Sequence, residues 1–119
     1  MAAKYVSSDS KKIICENWGT LQWIVDGKDG TSEVMTVGKV TIYPEKSNPY
    51  HTHPNCEEIL YVITGELEHT IDEERTVRLS AGDTMVIPQG ERHNARNIGK
   101  TDAVVLVSFN NANRLTVGE

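Results

Sequence analysis

The segment 49–65, with the sequence PYHTHPNCEEILYVITG, constrains the fold of this chain more than any other. His51 and His53 are two residues apart, and Glu58 begins an apolar, β-prone run that ends at Gly65. Residues two apart on an extended strand point to the same side, so the two imidazoles would lie side by side. The segment therefore predicts two strands that can aim two histidines and one carboxylate at a common point.

A third histidine, His93, lies in a second segment with its own pattern of glycine and proline. It comes 40 residues after His53 and follows Gly82, Pro88 and Gly90. Because the separation is large, only a fold that brings later strands back over earlier ones can join the two segments.

Short β-prone runs separated by turns about every 8 to 12 residues fill the chain from Ile13 to Phe109. We count nine or ten candidate strands, including a long one from Glu33 to Tyr43 with a possible bulge at Gly38. No stretch keeps a helical period of 3.6 residues beyond about two turns. The pattern predicts an all-β sandwich or barrel.

The length of 119 residues predicts one domain with a thin core. We expect a flexible N-terminal arm over residues 1–12, with a short strand at Tyr5–Val6, a barrel over residues 13–110 and a polar C-terminal tail over residues 111–119. Apolar residues make up 38% of the chain and aromatic residues 6%, so oligomerisation is a plausible supplement to the core.

Charge and hydropathy exclude several classes of partner. The net charge of −5, with scattered basic residues, argues against nucleic-acid binding. No apolar stretch approaches the roughly 20 residues that span a bilayer, and the N-terminus has no signal-peptide pattern, so we expect no membrane contact and a cytoplasmic location. Cys15 and Cys56 are expected as reduced thiols, with a bridge between them left open.

The histidines and the glutamate form a candidate metal site if their strand faces line the barrel interior. Three imidazoles and one carboxylate suit a divalent transition metal ion: Fe, Mn, Ni, Co or Zn. Four protein ligands on an octahedral ion would leave two positions for water or substrate. A lone His-x-His pair is more often structural than metal-binding, so the prediction rests on the combination.

Together, the two segments resemble the two sequence motifs of the cupin family. The second motif is matched at every position by Gly82, Pro88, Gly90, His93 and Asn97. The first motif is matched by His51, His53, Glu58 and Gly65. One departure is Glu45, which stands where the first motif opens with glycine and affects the shape of that loop. The resemblance covers about 53 residues, from Glu45 to Asn97.

The resemblance implies a single-domain cupin, an antiparallel jelly-roll β-barrel of six to eight strands that is usually a homodimer. By the same resemblance the ligands of one divalent metal ion are His51, His53, Glu58 and His93. Glu57 is the alternative carboxylate, but only Glu58 leaves the six residues before Gly65 that the motif has. Cys56 is either a soft extra ligand or a bystander in the ligand loop.

His69 is the candidate catalytic residue outside the ligands. It alternates with Leu67 and Ile71 on an apolar face. If that face lines the barrel, His69 could act as a general acid or base beside the metal. The alternative is a hydrogen-bonded histidine between core residues.

Two function classes follow. The first is a metalloenzyme acting on a small oxygen-rich molecule, such as a sugar, uronate or keto-acid, by isomerase, lyase or dioxygenase chemistry. The second is a non-catalytic cupin that holds a metal and a small ligand as a binding module. The chain shows no phosphate-binding loop and no nucleophile elbow, which disfavours nucleotide chemistry and acyl transfer.

Overall fold

The computed structural model describes residues 2–118, and it has eleven β-strands and one short 3₁₀ turn, Ser8–Ser10. The strands are β1 (Ile13–Cys15), β2 (Gly19–Val25), β3 (Thr36–Ile42), β4 (His51–Thr52), β5 (Glu58–Thr64), β6 (Glu66–Ile71), β7 (Arg75–Ser80), β8 (Thr84–Ile87), β9 (His93–Asn97), β10 (Ala103–Phe109) and β11 (Val117–Gly118). The predicted all-β class is confirmed. None of the described residues forms a helix long and apolar enough to cross a membrane.

The strands form two antiparallel sheets. One has six strands in the order β1-β2-β3-β10-β5-β8, and the other has five in the order β11-β4-β9-β6-β7. Some neighbours in these sheets are distant in sequence: β10 lies between β3 and β5, and β9 lies between β4 and β6. The topology therefore returns late strands beside early ones, as the separation of His53 from His93 requires.

Strict alternation directs one face of each sheet toward a shared core. Along β10, every second residue from Ala103 to Phe109 is buried, and along β5 the buried positions are Glu58, Leu60 and Val62. On the other sheet Leu67, His69 and Ile71 of β6 are buried. The core is mostly apolar, because strands of period two place most polar residues on the outer faces. The two sheets thus enclose one interior into which chosen polar side chains point.

The glycines of the two sequence motifs lie at turns that need left-handed backbone. Gly65, Gly82 and Gly90 have φ values of 99°, 92° and 82°, a region that side-chain-bearing residues rarely adopt. Glu45 has a φ of 66°. The loop therefore keeps the left-handed conformation at the one position where glycine is missing, at a cost of about 1 kcal/mol for the side chain.

Three local predictions differ from the structure. Tyr5 and Val6 are outside any strand, and β3 begins at Thr36 rather than Glu33. Gly38 is not bulged: it pairs with Val107 and Trp23, and a Cβ at this position would meet the Trp23 ring at 2.5 Å. The register shift lies instead on β2. Glycine at position 38 makes room for an indole.

The C-terminal residues 111–118 are polar in sequence but folded in place. Ala112 is buried, and β11 pairs with β4, the strand that begins at His51. The two cysteines are free thiols, with Cys15 exposed and Cys56 buried, so no bridge joins them.

Candidate metal centre

The histidines and the glutamate of the two motifs meet between the sheets. His51 begins β4 and pairs in register with His93, which begins β9 of the same sheet. Glu58 begins β5 of the facing sheet, and His53 follows directly after β4. We call these four residues the ligand group: His51, His53, Glu58 and His93. Each offers one ligand atom, and these atoms all lie within 4.8 Å of one another.

The closest approaches within the ligand group centre on the carboxylate. His53 Nε2 and His93 Nε2 each lie 3.3 Å from Glu58 Oε1. Two ligands at right angles on an ion about 2.2 Å from each would be about 3.1 Å apart. Since Glu58, His53 and His93 are all at most 5% exposed, water has little access to these atoms. The spacing is that of ligands around a single ion.

Two backbone carbonyls fix the tautomers of two of these histidines. His51 Nδ1 donates to the Pro49 carbonyl at 2.7 Å, and His53 Nδ1 donates to the Leu115 carbonyl at 3.0 Å. A carbonyl can only accept, so the proton lies on Nδ1 and the Nε2 lone pair is free. Such carbonyl partners orient metal-binding histidines in general.

The donor set fits a bound cation. Among residues 2–118, Glu58 Oε1 and both ring nitrogens of His93 are buried without a hydrogen-bond partner. Buried polar atoms without a partner are costly, and acceptors that face one another repel. A divalent ion held by three imidazole nitrogens and one carboxylate oxygen would pair with Glu58 Oε1 and with one ring nitrogen of His93, and would remove the repulsion between the acceptors.

Burial also favours the neutral, metal-binding form of the His51 and His93 imidazoles. Burial, together with the neighbouring His51 and His69, lowers the pKa of His93 to about 2. The pKa of His51 is lowered too, mainly by burial and against the opposing hydrogen bond to Pro49. Protons therefore compete weakly for these nitrogens near neutral pH.

The structure separates Glu57 and Cys56 from the ligand group. Glu57 is exposed and its backbone N–H donates to Asn110 Oδ1 at 2.8 Å. The Cys56 side chain is 1% exposed among core residues, and burial raises the pKa of its thiol. Neither has a ligand atom in the cluster that the four residues form.

His69 lies beside the ligand group on the inner face of β6. It is fully buried, and its ring stacks on that of His93 with centroids 5.1 Å apart. Neither ring nitrogen has a hydrogen-bond partner among the described residues. Burial lowers its pKa to about 4. Its ring lines the cavity and remains a candidate to carry a proton.

A cavity of about 440 Å³ opens onto the ligand group. Its walls are mostly apolar, with Trp18, Trp23 and Phe109 among them. A volume of this size accommodates a small molecule. Arg114 is a positively charged residue of the wall, and it comes from the C-terminal segment.

Sequence analysis missed the C-terminal contribution to this site. Asn55 of the ligand loop donates to the Asn113 carbonyl and accepts from the Leu115 N–H, both at 2.9 Å. These bonds hold Leu115 where its carbonyl meets His53. The signal in the sequence is the cluster of asparagines at positions 110, 111 and 113, which overlaps the segment predicted as a polar tail.

Comparison with known proteins agrees with the resemblance of the two sequence motifs to the cupin family. The family model described as Cupin domain matches residues 38–109. Oxalate oxidase 1 of Hordeum vulgare is 40% identical over 88 residues, which cover 66% of this chain and 43% of that protein. Germin-like protein 3-5 of Oryza sativa subsp. japonica is 39% identical over 88 residues, with 66% and 38% covered.

Solved structures agree with the sequence matches. Oxalate decarboxylase of Lactobacillus farciminis, solved as a formate complex, superposes with a TM-score of 0.85 at 25% identity over 92% of this chain and 34% of that one. A recombinant oxalate oxidase in complex with glycolate gives a TM-score of 0.78 at 32% identity over 87% and 56%. The chain thus spans less than half the length of the curated relatives described above.

Proposed function

This chain belongs to the cupin family, and we propose that it is a metal-dependent enzyme acting on a small oxygen-rich molecule, with carboxylic acids first among the candidates. The observation that carries the proposal is the ligand group, whose four ligand atoms lie within 4.8 Å of one another beside a cavity. Relatives named as oxalate oxidase and oxalate decarboxylase support a carboxylate substrate over a neutral sugar.

The residues divide the work in the following way. His51, His53, Glu58 and His93 would hold one divalent transition metal ion. When bound, such an ion supplies a Lewis acid that polarises a substrate oxygen, and its open positions accept substrate. The apolar walls around the ligand group would exclude bulk water from the reacting atoms.

His69 is the proposed proton carrier. It is buried against His93 and lines the cavity, with both ring nitrogens unpartnered among residues 2–118. Because burial holds its pKa at about 4, the ring would be neutral near pH 7. A neutral ring has one nitrogen free to accept a proton from substrate.

The metal itself is Fe, Mn, Ni, Co or Zn, and manganese is the first to test. The donor set of three imidazoles and one carboxylate suits these ions without selecting among them. A structure of Bacillus subtilis oxalate decarboxylase is described as having Mn(II) centres. That relative is 28% identical over the aligned region, so its metal is a guide and not an assignment.

A homodimer and a cytoplasmic location are part of the same proposal. The outer face of β5 and β8 exposes Ile59, Tyr61, Ile63 and Val86, each at least 43% accessible. Burying such a face against a second copy would supplement the thin core. The two free thiols are compatible with a reducing compartment.

Metal content and turnover test the function together. Protein loaded in turn with manganese, iron, nickel, cobalt or zinc is offered oxalate, glycolate, keto-acids and uronates, with oxygen uptake, carbon dioxide release and NMR as readouts. We expect about one ion per chain and turnover of a carboxylic acid. Retention of a ligand without turnover on any panel would favour a binding module, and failure to bind any of the metals would refute the proposal.

A further inference from the structure

The guanidinium of Arg114 is held inside the cavity by two aromatic faces. Its Cζ lies 4.3 Å from the ring centroid of Trp23 and 5.2 Å from that of Phe109. Cation–π contacts of this kind hold a guanidinium without using its N–H donors. The aromatic faces therefore leave the hydrogen-bonding edge of Arg114 available.

Arg114 has no carboxylate partner of its own within the described chain. No Asp or Glu oxygen of residues 2–118 lies within 4.0 Å of its guanidinium. Its one side-chain acceptor is Thr116 Oγ1, so most of its five N–H donors have no acceptor assigned. A partly buried guanidinium whose charge and N–H donors are unpaired is suited to bind an anion.

Thr116 connects this cation to the ligand group. The hydroxyl that accepts from Arg114 also lies 3.3 Å from His53 Nδ1. The guanidinium and the candidate metal site are thus separated by one small side chain, and both face the same cavity. An anion small enough to enter about 440 Å³ could contact both.

We propose that Arg114 is a specificity-determining residue that binds the carboxylate of a small carboxylic-acid substrate while another oxygen of that substrate reaches the metal site. This inference rests on the proposed function and narrows its substrate class to anions. A planar guanidinium pairs with a carboxylate through two parallel N–H···O bonds, which a lysine cannot reproduce. The residue positions and selects the substrate and takes no part in proton transfer.

Arg92 is the matched control. It also lies over an aromatic ring, with Cζ 4.8 Å from the Tyr50 centroid, but it is exposed and ion-paired with Glu73. It is not among the residues of the cavity wall. Its charge is already compensated, so it has no anion to recruit.

The test compares a charged and a neutral ligand of the same shape. Binding of glycolate and of glycolamide to Mn(II)-loaded protein is measured by calorimetry for wild type, R114Q, R114K and R92Q, with metal content and thermal denaturation as checks on the site and the fold. We expect R114Q to weaken glycolate binding by about 10- to 100-fold and to leave glycolamide binding unchanged. R114K should recover part of the loss, and R92Q should match wild type.

The outcomes separate this inference from the function on which it rests. Equal glycolate affinity in R114Q and wild type, or equal losses for both ligands, would overturn the role of Arg114 while the metal site stands. If R114Q loses its metal or its fold, R114K becomes the deciding variant. An R114K preference for glycolate over glycolamide equal to that of wild type would also overturn the proposed role of Arg114. Wild-type protein that binds no metal would overturn both proposals.

Discussion

The two halves of the candidate site are built in different ways. The ligand group lies on or next to β4, β5 and β9, whose ladders run through both sheets. The C-terminal segment 111–118 ends in a two-residue strand. Elsewhere it is held by individual hydrogen bonds with Asn55, Gly27 and Thr36, and by the cation–π contacts of Arg114. The ligand group is positioned by strand register, and the C-terminal segment is positioned by a few individual contacts.

This difference in support suits the ligand group and the C-terminal segment to different functions. A ladder holds a side chain to within a fraction of an ångström, which a coordination sphere needs. A segment held by a few bonds opens at lower free energy than the sheets do. It can therefore supply orientation, through the Leu115 carbonyl, and selection, through Arg114, without carrying the metal itself.

The largest effect is expected from a substitution in the ligand group. In Glu58→Gln the carboxylate charge is lost with little change of shape, so metal affinity should fall more than about 100-fold, since outer-shell changes alone cost 10- to 100-fold. Metal titration of the purified variant measures the loss. Glu57→Gln changes the exposed neighbour and should bind metal like wild type; the reverse pattern would reassign the ligand.

A second test uses His69, the buried histidine of β6 whose ring stacks on His93 of the ligand group. The pKa of His69 is lowered to about 4 from an ordinary 6.5, so the unfolded chain binds this proton at a pH where the folded chain does not. Stability of the metal-free protein should thus be constant above pH 6.5 and fall between 6.5 and about 4, by up to about 3 kcal/mol from this residue.

Urea unfolding at pH 7 and pH 5 measures that loss. In His69→Leu the titrating group is gone, so the fall in free energy of unfolding should be smaller than in wild type. An equal fall in both proteins would mean that His69 is protonated in the folded state at pH 5.

A smaller effect is expected when the C-terminal half is loosened. Asn55→Ala removes the side-chain bonds to Asn113 and Leu115, so the Leu115 carbonyl should orient His53 less well. We expect about a tenfold loss of metal affinity and faster hydrogen exchange confined to residues 111–118. Ser80→Ala removes a bond of similar length to Glu66, far from the site, and should change neither quantity. Unchanged exchange in Asn55→Ala would show that other contacts hold the segment.

The same division explains what could be predicted from the sequence. Spacing of two and period-two alternation are local properties, so they predicted the β class and the shared face of His51 and His53. The resemblance to the two cupin motifs supplied the full ligand group. The contacts of Arg114 and Leu115 depend on where the C-terminal segment packs in the folded chain. The periodicity of the sequence does not predict that position. The predicted bulge at Gly38 was wrong for a related reason. The side chain that occupies the space beside Gly38 belongs to Trp23, which lies on another strand.

The most direct test of this account is anomalous diffraction from crystals of the metal-loaded protein at the absorption edge of the bound ion. The account predicts one peak, about 2.2 Å from Nε2 of His51, His53 and His93 and from a carboxylate oxygen of Glu58. A peak beside an Nδ1 atom or at a different cluster of side chains, or fully loaded crystals with no peak between β4, β5 and β9, would contradict it.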